Sequence, residues 1–529
     1  MTPRSSSLPV LLALWLALLL LSLLTRPLLP VDETRYLAVA WEMWRRGDFL
    51  VPYLNGAPYS DKPPLFFWLI HAGWWLFGVT EWWPRCVAAL VSLAALWATA
   101  RLADMLWPRD VMTRQLVPWV LFGSIVWMAF YPWVQFDLLL VLFVVLAMSG
   151  LIMAGRGRRN GWLVVGLGIG LGVLAKGPVI LLHVLPAALL APLWIRDRPR
   201  SWWNWYAAIG GSLLLGSVMA LAWALPAAQS GGETYRQAIL WGQTANRVVN
   251  AFAHAHPWWW YLPWLPVLFA PWPLLPWLWR HLLRSLRDRQ DEGVRFCAVW
   301  LLSALLVMSL MSGKQLKYLL PLLPAFALLV ARVLSLAGSQ DVPRRPRVLA
   351  VLPGLSGIFL AVAPSLIAAP PWVNSVSPLW GGVLVAGAVL LGMSKPLRME
   401  QYPLAVALLS AGILVIVYLG VFRNAAPAYD LREASRLIAR AEAAGRPVAS
   451  LTGYHGQFGF YGRLARPIVN LPPQQARAWS REHPGGYLIA TYPDRVPGHA
   501  AAVHEQPYRG GHLAIWEGRV LAADPALLP

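Results

Sequence analysis

Charge is scarce in this sequence. Only 13% of its 529 residues are Asp, Glu, Lys or Arg, against 58% hydrophobic, and the mean hydropathy is +0.53. Water-soluble domains carry about a quarter charged residues, so a soluble globular protein is excluded. Cysteine is nearly absent as well. Cys86 and Cys297 fall at ends of expected helices on opposite sides of the membrane, which excludes both a disulfide framework and a cysteine metal site. Alternation of apolar and polar residues is missing from the long apolar runs. Backbone groups in hydrocarbon need internal partners, so continuous runs select spanning helices over a closed barrel.

What is present is a series of such runs. A spanning helix needs about twenty apolar residues. Thirteen segments meet that need, near 8–29, 85–106, 115–132, 137–155, 161–175, 177–195, 205–227, 258–279, 295–312, 317–336, 347–369, 376–394 and 403–421. Only Lys176 separates the segments 161–175 and 177–195, so a single broken hairpin there is an alternative. No small-residue cleavage site follows Leu24, which makes the first run an uncleaved helix and not a signal peptide.

The formal charge is +20, but its placement argues for topology and against a nucleic-acid surface. Arginines fill short loops at Arg109/Arg114, Arg156/Arg158/Arg159, Arg196/Arg198/Arg200, Arg280 to Arg295, Arg344/Arg345/Arg347 and, with lysine, Lys395/Arg398. Alternating spans put all of these loops on one side, which is then cytoplasmic. An odd number of spans leaves the N-terminus cytoplasmic and the C-terminus outside. Most of the 32 tryptophans lie near expected interfaces and read as an aromatic belt.

The opposite face holds the longer loops, residues 30–84 and 228–257, and the turn at 313–317. Leu37, Ala40, Trp41 and Trp44 recur at helical spacing after Asp32, with Gly47 as a stop. This predicts a short amphipathic helix in the interface, with Asp32 as its N-cap. Residues 64–78 are apolar but too short to span, predicting a second interfacial or re-entrant segment. From Asn424 the composition changes. A helix over 430–444 and strands at Pro447–Leu451, Tyr487–Thr491 and His512–Trp516 predict a small α/β domain. The expected organisation is a membrane domain over 1–423 and an outer domain over 424–529.

Lysine usage points to chemistry. Of 44 basic residues only five are lysine, and Lys62, Lys176, Lys314 and Lys317 all fall on the outer side at helix ends, where the positive-inside tendency disfavours them. Such a set suits an anionic group at that depth, a lipid phosphate for example; the alternative is snorkelling to ordinary headgroups. Carboxylates share this face: Asp32 and Glu33 where the first helix emerges, Asp61 before Lys62, and Asp137 at the outer end of the fourth span. Acids at the bilayer edge are costly unless paired or used, and for Asp137 an ion-pair role is the alternative. His254 and His256 read as interfacial polar residues before a ligand pair.

The motif Asp32-Glu33-Thr34-Arg35-Tyr36, the stretch Pro52-Tyr53-Leu54-Asn55-Gly56, and Asp61-Lys62-Pro63-Pro64 together resemble the first outer loop of the bacterial aminoarabinose lipid A transferases. That family is related to the protein O-mannosyltransferases within the membrane glycosyltransferases of GT-C fold. Lys176-Gly177-Pro178, His256-Pro257-Trp258-Trp259 and Lys314-Gln315-Leu316-Lys317-Tyr318 extend the likeness over the membrane region. The resemblance implies an all-α polytopic membrane protein with a small C-terminal α/β domain in the bacterial inner membrane. It also implies a polyprenyl-phosphate sugar donor and an acceptor reached from the periplasm. The family's catalytic acid falls on Asp32, and its loop acid–lysine pair falls on Asp61 and Lys62. Asp61 stands where the family more often has Glu.

Sugar departure from phosphate develops negative charge on the phosphate oxygen and positive charge on the ring. Lys62 is the first choice to hold the phosphate, supported by Arg247, Lys176, Lys314, Lys317 and Tyr318. Asp32 is the first choice to take the acceptor's proton or steady the ring, with Asp61 and Asp137 beside it. Glu33, Arg35, Tyr36 and His256 complete the expected substrate loops. No cofactor is required. Asp32 and Asp61 would accept a divalent ion, although no His/Cys spacing demands one. The expected acceptor is lipid A, another envelope glycan, a lipid or a protein. A transporter or flippase of a lipid-linked anion is the competing reading, and a membrane-anchored assembly factor a third.

Overall fold

A computed structural model describes residues 7–529 other than 198, 200, 241–254, 289, 339–345, 367–369 and 452. Each of the thirteen expected segments is helical. Among the described residues eight helices are long and apolar enough to cross a membrane. The others are shortened or broken where the sequence forces it. The segment at 258–279 is the most fragmented, with 3-10 turns at Trp258–Trp264 and Trp272–Leu274, a single α-helical turn at Leu265–Leu268 and a longer helix from Pro276 to Arg287. Proline at 257, 263, 266, 271 and 273 removes donors throughout that stretch. The segments flanking Lys176 are two helices, α8 (Gly161–Lys176) and α9 (Ile180–Leu189), turning at Gly177 with φ 85°. Large apolar side chains such as Leu24, Trp97, Leu214, Leu306 and Leu390 remain exposed on these helices, as lipid-facing positions do. The chain is a multi-pass membrane protein.

Two short helices fill the first long loop. α2 (Asp32–Arg46) follows α1 (Ser7–Thr25), and its buried face carries Tyr36, Leu37, Val39, Ala40 and Met43. Acids in its first turn and Arg45/Arg46 in its last complement the helix dipole. Gly47, at φ 66°, ends it by donating to the Met43 and Trp44 carbonyls. The N-cap is Val31 and not Asp32, which is the first helical residue and makes no capping bond. A two-residue hairpin, β1 (Tyr53–Leu54) to β2 (Ala57–Pro58), turns at Asn55 and Gly56, both with positive φ. α3 (Leu65–Phe77) is the expected segment too short to span.

Close helix packing aligns helix ends at the face that carries the long loops. α4 (Trp82–Leu106), α5 (Val111–Gly123) and α6 (Ile125–Phe130) lead to α7 (Asp137–Gly155), which runs against α8. A Cβ on Gly168 would lie 2.8 Å from the Ala147 backbone nitrogen, so only glycine permits this approach. The start of α7 thereby meets the end of α8.

Beyond the membrane helices lies a five-stranded sheet of order β4-β3-β5-β7-β6, where β3 is Val448–Ser450, β4 Val469–Asn470, β5 Tyr487–Tyr492, β6 His504–Tyr508 and β7 Gly511–Glu517. β3 pairs in parallel with β4 and β5, and β7 is antiparallel to β5 and β6. Strand alternation sends Ile489, Leu513 and Ile515 to the face covered by the helix Arg432–Ala443. Leu488, Ala490 and Trp516 go to the other face, against Trp479 and Leu521. β4 and β6 are strands the sequence pattern did not single out.

Candidate active site

Asp32 opens α2 at the face that carries the long loops. Its carboxylate receives Lys317 Nζ at 3.1 Å and pairs with Arg35 one turn on. Burial works to raise the Asp32 carboxyl, but Lys317 and then Arg35 outweigh it and hold the group below the ordinary value of 3.8. The side chain stays 38% exposed, so a charged group is kept ionised while still open to a ligand.

The neighbouring helix ends supply a second pair. Asp137, the first residue of α7, bonds Lys176, the last residue of α8, and both side chains are largely buried. Lys176 Nζ also lies 4.6 Å from the centre of the Tyr318 ring. Tyr318, whose ring Lys176 covers, follows Lys317 in the chain, so the two pairs adjoin. Arg35 and Lys62 both approach the Tyr36 ring, at 5.7 and 6.0 Å, and Tyr36 packs edge-on against Phe136 beside Asp137. Lys62 Nζ donates to the Asp61 carbonyl at 3.2 Å. Three sequence regions far apart in the chain thus bring Asp32, Arg35, Tyr36, Lys62, Asp137, Lys176, Lys317 and Tyr318 together, with Asp61 next to Lys62.

Other expected residues lie elsewhere. Lys314 is buried and donates to the carbonyls of Met311 and His256, the latter at 2.9 Å. It pins residues 255–257 to the 311–315 turn, where His256 stacks on Trp260 at 4.5 Å. Glu33 turns inward and is 1% exposed. It binds Arg26 and accepts from the backbone of Leu29 (2.9 Å) and Val134 (2.8 Å). Burial pushes the Glu33 carboxyl up, and the guanidinium groups of Arg26 and Arg85 bring it back below its ordinary value. Arg247 and His254 lie outside the described residues. Among the described residues no three His, Cys, Asp or Glu are arranged to hold a metal.

Arg35, Lys62, Lys176 and Lys317 gather at this face, with the partly exposed Asp32 carboxylate among them. Comparison with known proteins concerns the whole chain. The family described as dolichyl-phosphate-mannose-protein mannosyltransferase matches residues 61–223. An undecaprenyl phosphate-alpha-4-amino-4-deoxy-L-arabinose arabinosyl transferase of Pseudomonas fluorescens Pf-5 is 31% identical over 68% of this chain and 66% of its own length. ArnT of Cupriavidus metallidurans, in a crystal structure with undecaprenyl phosphate, superposes with a TM-score of 0.77 over 97% of this chain and 98% of that one, at 17% identity. The chain belongs to the family of the aminoarabinose transferases, with the GT-C fold.

Within that family the match is uneven. A second relative, from Pseudomonas fluorescens Pf0-1, is 30% identical over 62% of this chain, and the alignment spans 57% of the relative. The chain thus matches little more than half the length of several curated relatives, while the fold likeness runs nearly end to end. Sequence reasoning missed the residues that hold α2 in place, among them Glu81, Arg432 and Tyr461, because their partners lie hundreds of positions away. The one visible signal was Arg85 following Glu81 by four residues at the start of a span.

Proposed function

We propose that this protein is a membrane glycosyltransferase that moves a sugar from a polyprenyl (undecaprenyl) phosphate to an acceptor on the periplasmic side of the bacterial inner membrane. The acceptor class that fits the family is lipid A or another envelope glycan. The observation that carries this reading is the adjoining pair of clusters, Asp32–Lys317 and Asp137–Lys176, at the ends of packed helices. Arginine-rich loops on the opposite side support a cytoplasmic N-terminus, with the site and residues 424–529 in the periplasm. Residues 1–423 form the transferase domain in this reading.

The mechanism is a single displacement. Lys62, Lys176 and Lys317 neutralise the phosphate as the sugar–oxygen bond breaks, and their poor hydration strengthens that effect. Asp32 faces the anomeric carbon. It takes the proton of a hydroxyl acceptor; if the acceptor is a phosphate it orients and steadies the oxocarbenium-like ring. Asp137 holds Lys176 in place. The reading names no cofactor.

The test is transfer of a radiolabelled sugar from undecaprenyl phosphate to envelope lipids by the purified protein in vesicles. Wild type is expected to yield a labelled product of inverted anomeric configuration, and Asp32→Asn about 10²–10³-fold less of it. Translocation of intact donor without a new glycosidic bond would make the protein a flippase.

A further inference from the structure

α2 is short and lies outside the bundle of spanning helices, yet Asp32 at its first turn must meet Lys317 from a different part of the chain. Besides its buried face and the bonds of Glu33, α2 is held by the segment 454–468 that connects β3 to β4. Trp41 Nε1 donates to the Leu464 carbonyl at 3.0 Å, and the Arg463 guanidinium covers the Trp41 ring at 5.1 Å. The hairpin after α2 is held by a reciprocal pair: Asn55 Nδ2 donates to the Ile468 carbonyl (2.9 Å), and Ile468 N–H donates to Asn55 Oδ1 (2.8 Å). Contact is close here, and Gly456 also has a φ of 88°. A Cβ on Gly456 would lie 2.7 Å from Leu54 Cδ1, and one on Gly459 3.1 Å from the Ala38 Cβ.

The entry to α2 is held by charge. Arg432 donates to both oxygens of Glu81 at 2.9 Å. Tyr461 Oη donates to Glu81 at 3.2 Å and accepts from the Leu28 N–H at 3.0 Å, four residues before the start of α2. Arg85 links Glu81 to the carbonyl of Arg26, and Arg26 binds Glu33. A chain of bonds therefore runs from the C-terminal helix to the residue beside Asp32.

We propose that the C-terminal unit is a positioning element of the active site, in which segment 454–468 with Arg432 holds α2 so that Asp32 keeps its register with Lys317. This rests on the transferase reading above. Asn55 and Arg432 are positioning residues: neither touches the Asp32–Lys317 pair. A displacement of about 1 Å at a reacting group costs on the order of a hundredfold in rate, so a partial loosening is expected to cost less.

The experiment uses the full-length protein in vesicles with undecaprenyl-phosphate sugar. Asn55→Gly keeps the turn, because glycine accepts the φ of 54°, and removes both bonds to Ile468. Arg432→Met removes both bonds to Glu81. In the double variant, amide exchange over residues 33–46 is expected to rise and kcat to fall roughly tenfold. Donor KM is expected to stay within about twofold, since the phosphate-holding lysines are untouched. The acid limb of the kcat profile is expected to move to higher pH, because Asp32 loses part of its contact with Lys317. Each single variant should show the same changes at reduced size, which keeps the test open if the double variant folds poorly. Unchanged exchange over α2, or raised exchange with kcat and acid limb as in wild type, would overturn the proposal. A wild type that transfers no sugar would instead remove the transferase reading, and the exchange measurement, made without substrate, tells the two failures apart.

Discussion

Two groups of acids and cations among the described residues, one at each face of the membrane region, use the same chemistry to opposite ends. At the arginine-rich face Arg332 bridges Asp110 (2.6 Å) and Asp291 (3.0 Å). Both carboxylates are fully occupied. Asp110 also accepts from the Thr113 N–H and from Ser335, and Asp291 from the Val294 N–H and Trp107 Nε1. Each caps a helix, and Asp110 is held below its ordinary value against burial chiefly by hydrogen bonds. At the loop face Asp32 is held down against burial chiefly by the bare charges of Lys317 and Arg35, and much of its surface is open. A carboxylate saturated with directional donors is a structural joint. One balanced by cations and left exposed is available to a substrate.

The sharpest break of this comparison sets neighbours against each other. Asp32→Asn is expected to abolish most transfer while the melting temperature stays within about a degree, because no buried group loses its partner. Glu33→Gln leaves the buried Arg26 without its counter-charge, a cost of about 3–5 kcal/mol, and is expected to lower the yield of folded protein and its melting temperature by several degrees. If Glu33→Gln instead melts like wild type and loses only activity, Glu33 belongs with Asp32 and the division fails.

Arg332→Met carries the same logic to the inner face. The caps on Thr113 and Val294 remain, so a destabilisation of about 1–3 kcal/mol is expected, with kcat within twofold of wild type per folded molecule. Thermal melting and specific activity measured on one preparation separate the two. A rate loss larger than the stability loss would mean the inner cluster is more than a joint.

The smallest effect concerns pH. With Lys317 present the folded Asp32 carboxyl lies below its ordinary value, so the ionised form, and the activity that needs it, persists above that lowered value and is lost only as pH falls through it. Lys317→Met leaves burial as the largest influence, which raises the group, and the acid limb of kcat is expected to move to higher pH. A limb that stays in place would show that Arg35 alone suffices.

Much of this was legible in the sequence. Thirteen apolar runs became helical segments because hydrocarbon allows no other use for an unbroken run of that length. α2 followed from a 3.6-residue pattern and a glycine stop, and three of the lysines singled out, Lys62, Lys176 and Lys317, lie at one face of the membrane region. Lys314 carries the same label in sequence but serves two backbone carbonyls, and nothing in its neighbours distinguished it. Asp32 as an N-cap was a reasonable reading of an acid before a helix. The helix starts one residue earlier than that pattern implies, and this frees its carboxylate for Lys317.

By itself, then, the sequence determined the class of protein and the number of apolar segments, since hydropathy and charge act locally and add along a chain. Only the tertiary structure decided which of two adjacent acids stays partly exposed beside Lys317 and which is locked inside, because that depends on where Arg26 and Lys317 come to rest in space. It also tied Asn55 to Ile468 and Glu81 to Arg432, contacts across hundreds of residues for which no local pattern exists.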